Sequence, residues 1–345
     1  MRFFKTFLAT LAAMAFAYAI AAAIVNPRRE LIGHRFPALQ PNSRAAKLAL
    51  LDSFSRGHPV DALVLGSSRS MHLPPELLSR LTGRRFFNLA VFSGRPEDFL
   101  ALYRAVIARG VPIRSVVIGV DPDALDPVHP PELELKNNPR LTQALNGKPF
   151  DVADWMTFAG RRATGLFTVG YLRDVLVSAR AVSHPPTPMY TFEPDGRVEY
   201  PKLDAALSVG RFSLADSVRR CSSQLVGDVR AFSRSDSTRL AQLRELVAEA
   251  RPRGDVLVWI PPMQPDAARL VAADTVAQRN LRRSVAEIRR IVGSADVPVL
   301  DLSESTALGP QPDAWYDCVH YRGAIAEHIS QRLAATLDSV RRHGL

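Results

Sequence analysis

The stretch Asp61-Ala62-Leu63-Val64-Leu65-Gly66-Ser67-Ser68-Arg69-Ser70 decides the fold. An unbroken apolar run, Ala-Leu-Val-Leu, ends at a glycine and passes into three hydroxyls and a guanidinium. A short run without polar alternation suits a strand buried on both faces of a parallel sheet. Pro74-Pro75-Glu76 then opens a helix, with proline suited to its first turn and glutamate to the positive end of its dipole. Gly83 closes it. The unit repeats downstream. Phe86–Val91 reads as a second strand, and Pro96-Glu97-Asp98 opens a helix whose apolar face is Phe99, Leu102, Val106 and Ile107. Ser115–Val120 reads as a third strand.

The rhythm breaks over residues 122–235, which are rich in Pro, Gly and aromatics and show no strand–helix alternation. Within them the sequence predicts a helix near Asp151–Ala163 and a hairpin at Tyr190–Tyr200 turning at Pro194-Asp195-Gly196. Alternation returns with a helix at Ser237–Arg251, a strand at Asp255–Ile260, a helix at Ala277–Val292, a strand at Val297–Leu302 and a helix at Gly323–Arg341. Five β–α units predict an α/β domain over 59–345, with a parallel sheet, helices on both faces and 122–235 as an insertion or cap. Chemistry in such sheets lies beyond the carboxyl ends of the strands.

Ahead of this domain, Phe7–Val25 is a run of 19 uncharged, largely apolar residues. At the α-helical rise this spans about 28 Å, enough for a hydrocarbon core. Residues 1–27 therefore read as a transmembrane signal anchor, and 28–58 as a juxtamembrane linker with a short helix near Ala45–Phe54. A cleaved signal peptide is the alternative, since Ala15, Ala17, Ala21, Ala22 and Ala23 could supply a cleavage site. Arg2 and Lys5 on one side face Arg28, Arg29 and Arg35 on the other, so charge asymmetry gives little orientation. A short inner tail with the bulk exported is the simplest arrangement: bacterial inner membrane, single pass, with the domain in the periplasm. Cys221 and Cys318 would then meet an oxidising space; they pair there or stay as two partly buried thiols.

The 345 residues, 47% of them hydrophobic and 23% charged, exclude a disordered chain, and two cysteines exclude a disulfide-stapled miniprotein. Net charge is +10, and only Lys5, Lys47, Lys136, Lys148 and Lys202 of the 44 basic residues are lysine. Such a balance favours anionic partners, with lipid headgroups and acidic glycans ahead of nucleic acid, for which no zinc-finger, RNP or basic-zipper pattern is present. No Walker motif, no His-Glu-x-x-His and no Gly-x-Gly-x-x-Gly appears, so no metal, nucleotide or redox cofactor is expected.

Two loops carry candidate chemistry. A serine in Gly66-Ser67-Ser68-Arg69-Ser70, at the head of the next helix or turn, gains backbone N–H groups beside a developing oxyanion. In Trp315-Tyr316-Asp317-Cys318-Val319-His320-Tyr321, an Asp three residues before a His can fix the imidazole tautomer while the far nitrogen takes a hydroxyl proton. Asp126 and His129 repeat that spacing but lead into the insertion, whereas His320 leads straight into the last helix. Gly94 could present its N–H to an oxyanion, with Asn88 anchoring the loop, and Pro261-Pro262-Met263 could wall a pocket.

The Gly-x-Ser after the first strand, the Asn88…Gly94 segment, Gly119-Val120-Asp121 after the third strand and Asp317-x-x-His320 together resemble the SGNH (GDSL-like) hydrolase superfamily over 60–120 and 255–341. The chain looks most like its membrane-anchored periplasmic branches, similar to proteins that move or remove acyl groups on bacterial exopolysaccharides and teichoic acids. The resemblance implies a three-layer, flavodoxin-like, five-stranded sheet. It implies Ser68 as nucleophile, His320 as base, Asp317 as orienting acid, and the Ser68 and Gly94 amides as oxyanion donors. It also implies an acylated envelope glycan as substrate and, by analogy, a membrane acyl-transfer partner. Two departures stand out. Ser67 replaces the family's aspartate before the nucleophile, and Asp121 stands where an oxyanion-hole asparagine is usual. An ionised Asp121 would repel an oxyanion unless it is turned away, protonated or paired with Arg69. An inactive component of a polysaccharide assembly complex is therefore the alternative function.

Overall fold

The computed structural model describes residues 2–28, 36–37, 39, 43–182, 188–303 and 314–343. Arg29, Arg35 and much of the expected linker lie outside the described residues. In chain order the elements begin with α1 (Arg2–Val25), α2 (Ser43–Phe54), β1 (Ala62–Leu65), α3 (Pro75–Thr82), β2 (Phe86–Asn88), α4 (Pro96–Ile107) and β3 (Ser115–Gly119). The insertion carries α5 (Leu133–Lys136), α6 (Pro139–Asn146), α7 (Val152–Leu166), α8 (Val169–Arg180), β4 (Thr191–Phe192), β5 (Val198–Glu199), α9 (Pro201–Ser208) and α10 (Leu214–Ala231). The chain resumes with α11 (Ser237–Ala250), β6 (Asp255–Ile260), α12 (Pro265–Ala273), α13 (Thr275–Gly293), β7 (Val299–Asp301) and α14 (Ala324–His343).

Five strands form one parallel sheet in the order β2-β1-β3-β6-β7, and β4 pairs with β5 in a separate antiparallel hairpin. Counting only sheet strands, this is the 2-1-3-4-5 order of flavodoxin-like domains. Alternate side chains face opposite layers, as a period of two requires. Leu63, Leu65, Val116, Ile118, Val256 and Val258 join the core under α4, α11 and α13. Ala62, Val64, Val117, Leu257 and Trp259 face the other way, against Leu78 of α3 and Ile325, Ile329 and Leu333 of α14. The fold is the three-layer α/β sheet expected, with a large insertion and an apolar helix ahead of it.

Several expected bounds shift. The second strand stops at Asn88 instead of Val91; Leu89 and Val91 N–H still donate to Val64 O and Gly66 O, while Ala90 N–H turns to the Asn88 side chain. The insertion is largely helical, and α10 with its buried stripe Val218, Ser222, Leu225 and Val229 was not expected. Nor was α12, between the fourth strand and the long helix α13.

Buried charges fix α4, whose amino end leads out of the Gly94 loop. Arg44 of α2 grips Asp98 at 3.0 and 2.9 Å, and Arg239 of α11 holds Glu97 at 3.1 Å. All four side chains are buried. Losing one partner of such a pair costs about 3–5 kcal/mol, because a bare charge remains inside. The hairpin between β4 and β5 is held in a similar way: the buried Lys47 ammonium donates to Asn88 O at 3.0 Å and also to Gly196 O.

Gly196 has φ +87° and its Cα lies against the Asn88 carbonyl, where any Cβ would collide. Gly83, with φ +70°, ends α3 facing open space. Gly83→Ala is expected to cost about 1 kcal/mol, for backbone strain alone. Gly196→Ala adds the collision and is expected to cost about 3 kcal/mol or more. Urea unfolding of the two variants checks this; equal losses would mean the hairpin does not seat on β2.

Candidate active site

The Ser68 turn leaves the carboxyl end of β1 through Gly66, whose φ is +153° and whose Cα packs against the Ser70 hydroxyl. The Ser70 N–H donates to Ser67 O at 3.0 Å, and the Arg69 N–H to Ser67 Oγ at 3.2 Å. Ser68 is half-buried, in a segment whose neighbours are buried, so its side chain comes to the surface at the rim. The following helix is a single 3₁₀ turn, Ser70–His72, instead of an α-helix. That is too short for the dipole assistance expected at Ser68, and the local backbone geometry must serve instead.

Asn88 ties this turn to β2. Its amide donates to Ser70 O at 2.9 Å and Leu73 O at 3.0 Å, and its oxygen accepts from Ala90 N at 3.1 Å. It was expected to anchor its own loop, and it also holds the turn that carries the serine.

The Asp317–His320 segment is a tight hairpin closed by a Trp315–Tyr321 bridge, with Tyr316 N–H donating to His320 O at 2.8 Å. Asp317 Oδ1 accepts from the N–H groups of Val319 (2.9 Å) and His320 (2.8 Å). Its Oδ2 lies 2.7 Å from His320 Nδ1, and His320 Nε2 lies 2.8 Å from Ser68 Oγ. Hydroxyl, imidazole and carboxylate form one chain of hydrogen bonds. Burial alone would raise the Asp317 carboxyl. The His320 ring bond and charge, with the two backbone donors, outweigh it and hold it at about 2. Asp317 is thus an anion at neutral pH that orients the imidazole and stabilises its positive form. His129 is exposed and 3.9 Å from Asp126, away from this arrangement.

The oxyanion side departs from expectation. The Gly94 N–H donates to Val91 O at 3.2 Å, so it closes its own turn instead of standing free. The physical reason is close packing: a Cβ at Gly94 would sit 2.5 Å from Gly66 O, which holds the loop against the turn of β1. Among the described residues no acceptor takes the Ser68 N–H, which makes it the unengaged member of the expected donor pair. Asp121 is buried and lies 3.6 Å from Arg69 Nε, while Arg69 also reaches Asp123 at 3.1 Å. Burial pushes the Asp121 carboxyl up to about 6, against the pull of Arg69 and with the push of Asp123. Its Oδ1 has no hydrogen-bond partner among the described residues.

Three further features bear on the site. Cys221 and Cys318 form a disulfide, correcting the alternative of two free thiols; Cys318 sits between Asp317 and His320, and Cys221 on α10. The bond closes a separation of 97 residues, worth about 4–5 kcal/mol in the chain-entropy account. The spacing of two lone cysteines carried no signal for it. Next, His72 is buried among the rings of Tyr200, Tyr316 and Tyr321, its ring 6.1 Å from that of His320. Burial, aided by the His320 charge, lowers His72 to about 3, so it stays neutral and adds no competing base. Lastly, Phe92, Tyr190 and Phe192 form a half-buried aromatic group where the inserted hairpin meets the loop after β2. A cleft beside Arg69 is lined by Pro261 and Met263, the less favoured of two readings of that loop, and by Leu225 and Phe232. The only close metal-ligand trio among the described residues is Cys221, Asp317 and Cys318, and the disulfide occupies both sulfurs.

No family model and no curated protein matches the chain. Among solved structures it is similar to the lipase/acylhydrolase from Enterococcus faecalis, at 12% identity and a TM-score of 0.39, covering 81% of this chain and 96% of that one.

The disulfide ties the Asp–His hairpin to the insertion, so its loss should loosen the imidazole as well as lower stability. Cys221→Ser is expected to slow fluorophosphonate labelling of Ser68 by about tenfold or more, the effect of a misplaced base. Labelling at the parental rate would show that the hairpin holds its shape unaided.

Proposed function

We propose that the chain is a membrane-anchored, periplasmic serine esterase or O-acyltransferase of SGNH type. It acts on acyl groups, acetyl first among them, of an envelope polysaccharide. The observation that carries this reading is the hydrogen-bond chain Ser68–His320–Asp317, at 2.8 and 2.7 Å. Ser68 Oγ attacks the acyl carbonyl while His320 Nε2 takes its proton, and the anionic Asp317 holds Nδ1–H in the required tautomer. The tetrahedral oxygen is received by the Ser68 N–H. His320 returns the proton to the leaving sugar hydroxyl, and water or a second hydroxyl then resolves the acyl-serine. Support for export comes from the disulfide, which persists in oxidising compartments. Support for anchoring comes from α1, which holds an 18-residue window of mean hydropathy 2.2, 11% of it buried. The aromatic group at Phe92, Tyr190 and Phe192 offers ring faces of the kind that pack on sugars.

A second reading, a catalytically inactive component of a polysaccharide assembly complex, is favoured by Asp121 and by the engaged Gly94 amide. The two readings separate on p-nitrophenyl acetate hydrolysis by the full chain. The enzyme reading expects a rate that falls by about a thousandfold or more in Ser68→Ala and His320→Ala. A parental rate no higher than Ser68→Ala favours the inactive component.

Asp121 adds a pH signature. Its folded pKa is raised to about 6, so the carboxyl is neutral below that pH and a charge beside the developing oxyanion above it. Asp121→Asn removes the charge at all pH and offers an amide donor. The ratio of variant to parental kcat/KM is therefore expected to rise with pH through about 6, reaching about tenfold by pH 8. A ratio that does not change with pH would place Asp121 outside the oxyanion field.

A further inference from the structure

The insertion carries apolar surface that the domain does not use. On α7 the exposed residues Val152, Trp155, Met156, Ala159 and Ala163 recur at helical spacing, and the helix has no buried residue. The turn into α8 exposes Phe167 (54%) and Val169 (85%), and α8 continues with Leu172 and Leu176, also exposed. The opposite face of α8 is taken up by α1: Tyr171 and Val175 pack with Ala22 and Val25 in one buried cluster. A helix apolar on two sides belongs in a core or in lipid.

The contacts with α1 give this surface a depth. Tyr18 OH donates to Leu166 O at 2.7 Å, and its ring meets Phe167 at 5.5 Å. At the other end, Arg28 pairs with Asp174 at 2.7 Å. Tyr18 lies seven residues before Val25, about 10 Å down the helix at the α-helical rise. If α1 fills a hydrocarbon core of about 30 Å, the α7–α8 turn lies inside its outer edge and the Arg28–Asp174 pair at headgroup level.

The sequence of the turn agrees. Residues 163–172 (Ala-Thr-Gly-Leu-Phe-Thr-Val-Gly-Tyr-Leu) carry no charge, and Arg161, Arg162 and Arg173 flank them. Several polar groups there are satisfied internally: Phe167 N–H donates to Thr164 O, Tyr171 N–H to Thr168 Oγ1 at 3.2 Å, Thr164 Oγ1 to Gly160 O at 3.0 Å, and Thr168 Oγ1 to Gly165 O at 2.9 Å. The Tyr18 hydroxyl takes Leu166 O, an otherwise orphaned carbonyl at the end of α7. Hydrocarbon demands such closure of backbone polar groups.

We propose that the α7–α8 hairpin is a second membrane element, its tip at 163–172 dipping into the outer leaflet beside α1 and its occupant the upper acyl chains of the lipid. This rests on the reading of α1 as a membrane span. The domain is then held at two places on the bilayer, which restricts its swing about the anchor and keeps its rim at a set height above the surface.

Tryptophan fluorescence tests it in the full chain, reconstituted into phosphatidylcholine–phosphatidylglycerol vesicles without bromine or with it either near the top of the acyl chains, which reads the hairpin tip, or near their ends, which reads mid-α1. Trp259 and Trp315 are fully buried and give a constant background, while Trp155→Phe removes the third, exposed indole. In that background Val169→Trp places a probe at the tip, where 85% exposure leaves no packing to lose. Met14→Trp, at a 65% exposed position in mid-α1, reports the anchor itself. The proposal expects bromolipid to quench the added Val169→Trp emission by about half, with little effect of aqueous acrylamide. Acrylamide quenching without bromolipid quenching would put the tip in water and overturn it. Protection from both quenchers would mean that a protein covers the tip, a second copy or another membrane protein, and would overturn it equally. If Met14→Trp is quenched by bromolipid and Val169→Trp is not, the anchor stands and the hairpin proposal fails alone; if Met14→Trp is not quenched, the anchor reading fails.

Discussion

A hydrogen bond of 2.8 Å joins the Ser68 hydroxyl to an imidazole 252 positions further along the chain. Most of what surrounds it keeps those two atoms together. The parallel sheet brings the carboxyl ends of β1 and β3 side by side, and the last β–α connection folds the Trp315–Tyr321 hairpin over them. Asn88 then clamps the serine turn, and the disulfide clamps the histidine hairpin. Each restraint acts on the loops, where a parallel sheet leaves the chain freest.

The electrostatics of the rim divide into two halves. On the histidine side, the His320 ring, its charge and the Val319 and His320 N–H groups all favour the Asp317 anion, and it can support an imidazolium. On the oxyanion side, Asp121 is buried with an orphan oxygen and an imperfect ion pair to Arg69. One carboxylate is settled and the other uneasy, within one small site. A buried, poorly satisfied carboxylate is costly to keep, and such sites commonly trade stability for chemistry. The same Asp121 is the residue that pulls the functional reading in two directions.

Much of the sheet was legible from residues alone, for a physical reason. Strands buried on both faces read as unbroken apolar runs, and Gly254 and Gly66 punctuate two of them, so the run at Asp255–Ile260 was read to the residue. The Asp317–His320 pair was legible because Asp-x-x-His sits just ahead of the last helix. What could not be read depended on distant partners. The early end of β2 goes with an Asn88 side chain that turns to Ala90 N–H and to the Ser70 turn, and the Gly94 amide is spent on a turn fixed by packing against Gly66. In the insertion, the stripe of Val218, Ser222, Leu225 and Val229 had helical spacing but is interleaved with Arg, Ser and Asp, so its apolar face is narrow. Of the pair α7 and α8, the first was read close to its bounds, and α8 evaded the pattern because apolar residues lie on two of its faces, so no contrast marks an inner one.

The account stands on Ser68 being acylated with His320 as its base. The most direct measurement is mass spectrometry of the full chain, acid-quenched within the first turnover on an acetyl ester. An acetyl group on the peptide that contains Ser68, absent from His320→Ala, is the predicted result. An unmodified Ser68 peptide alongside measurable ester turnover would contradict it, since the chemistry would then run through some other group.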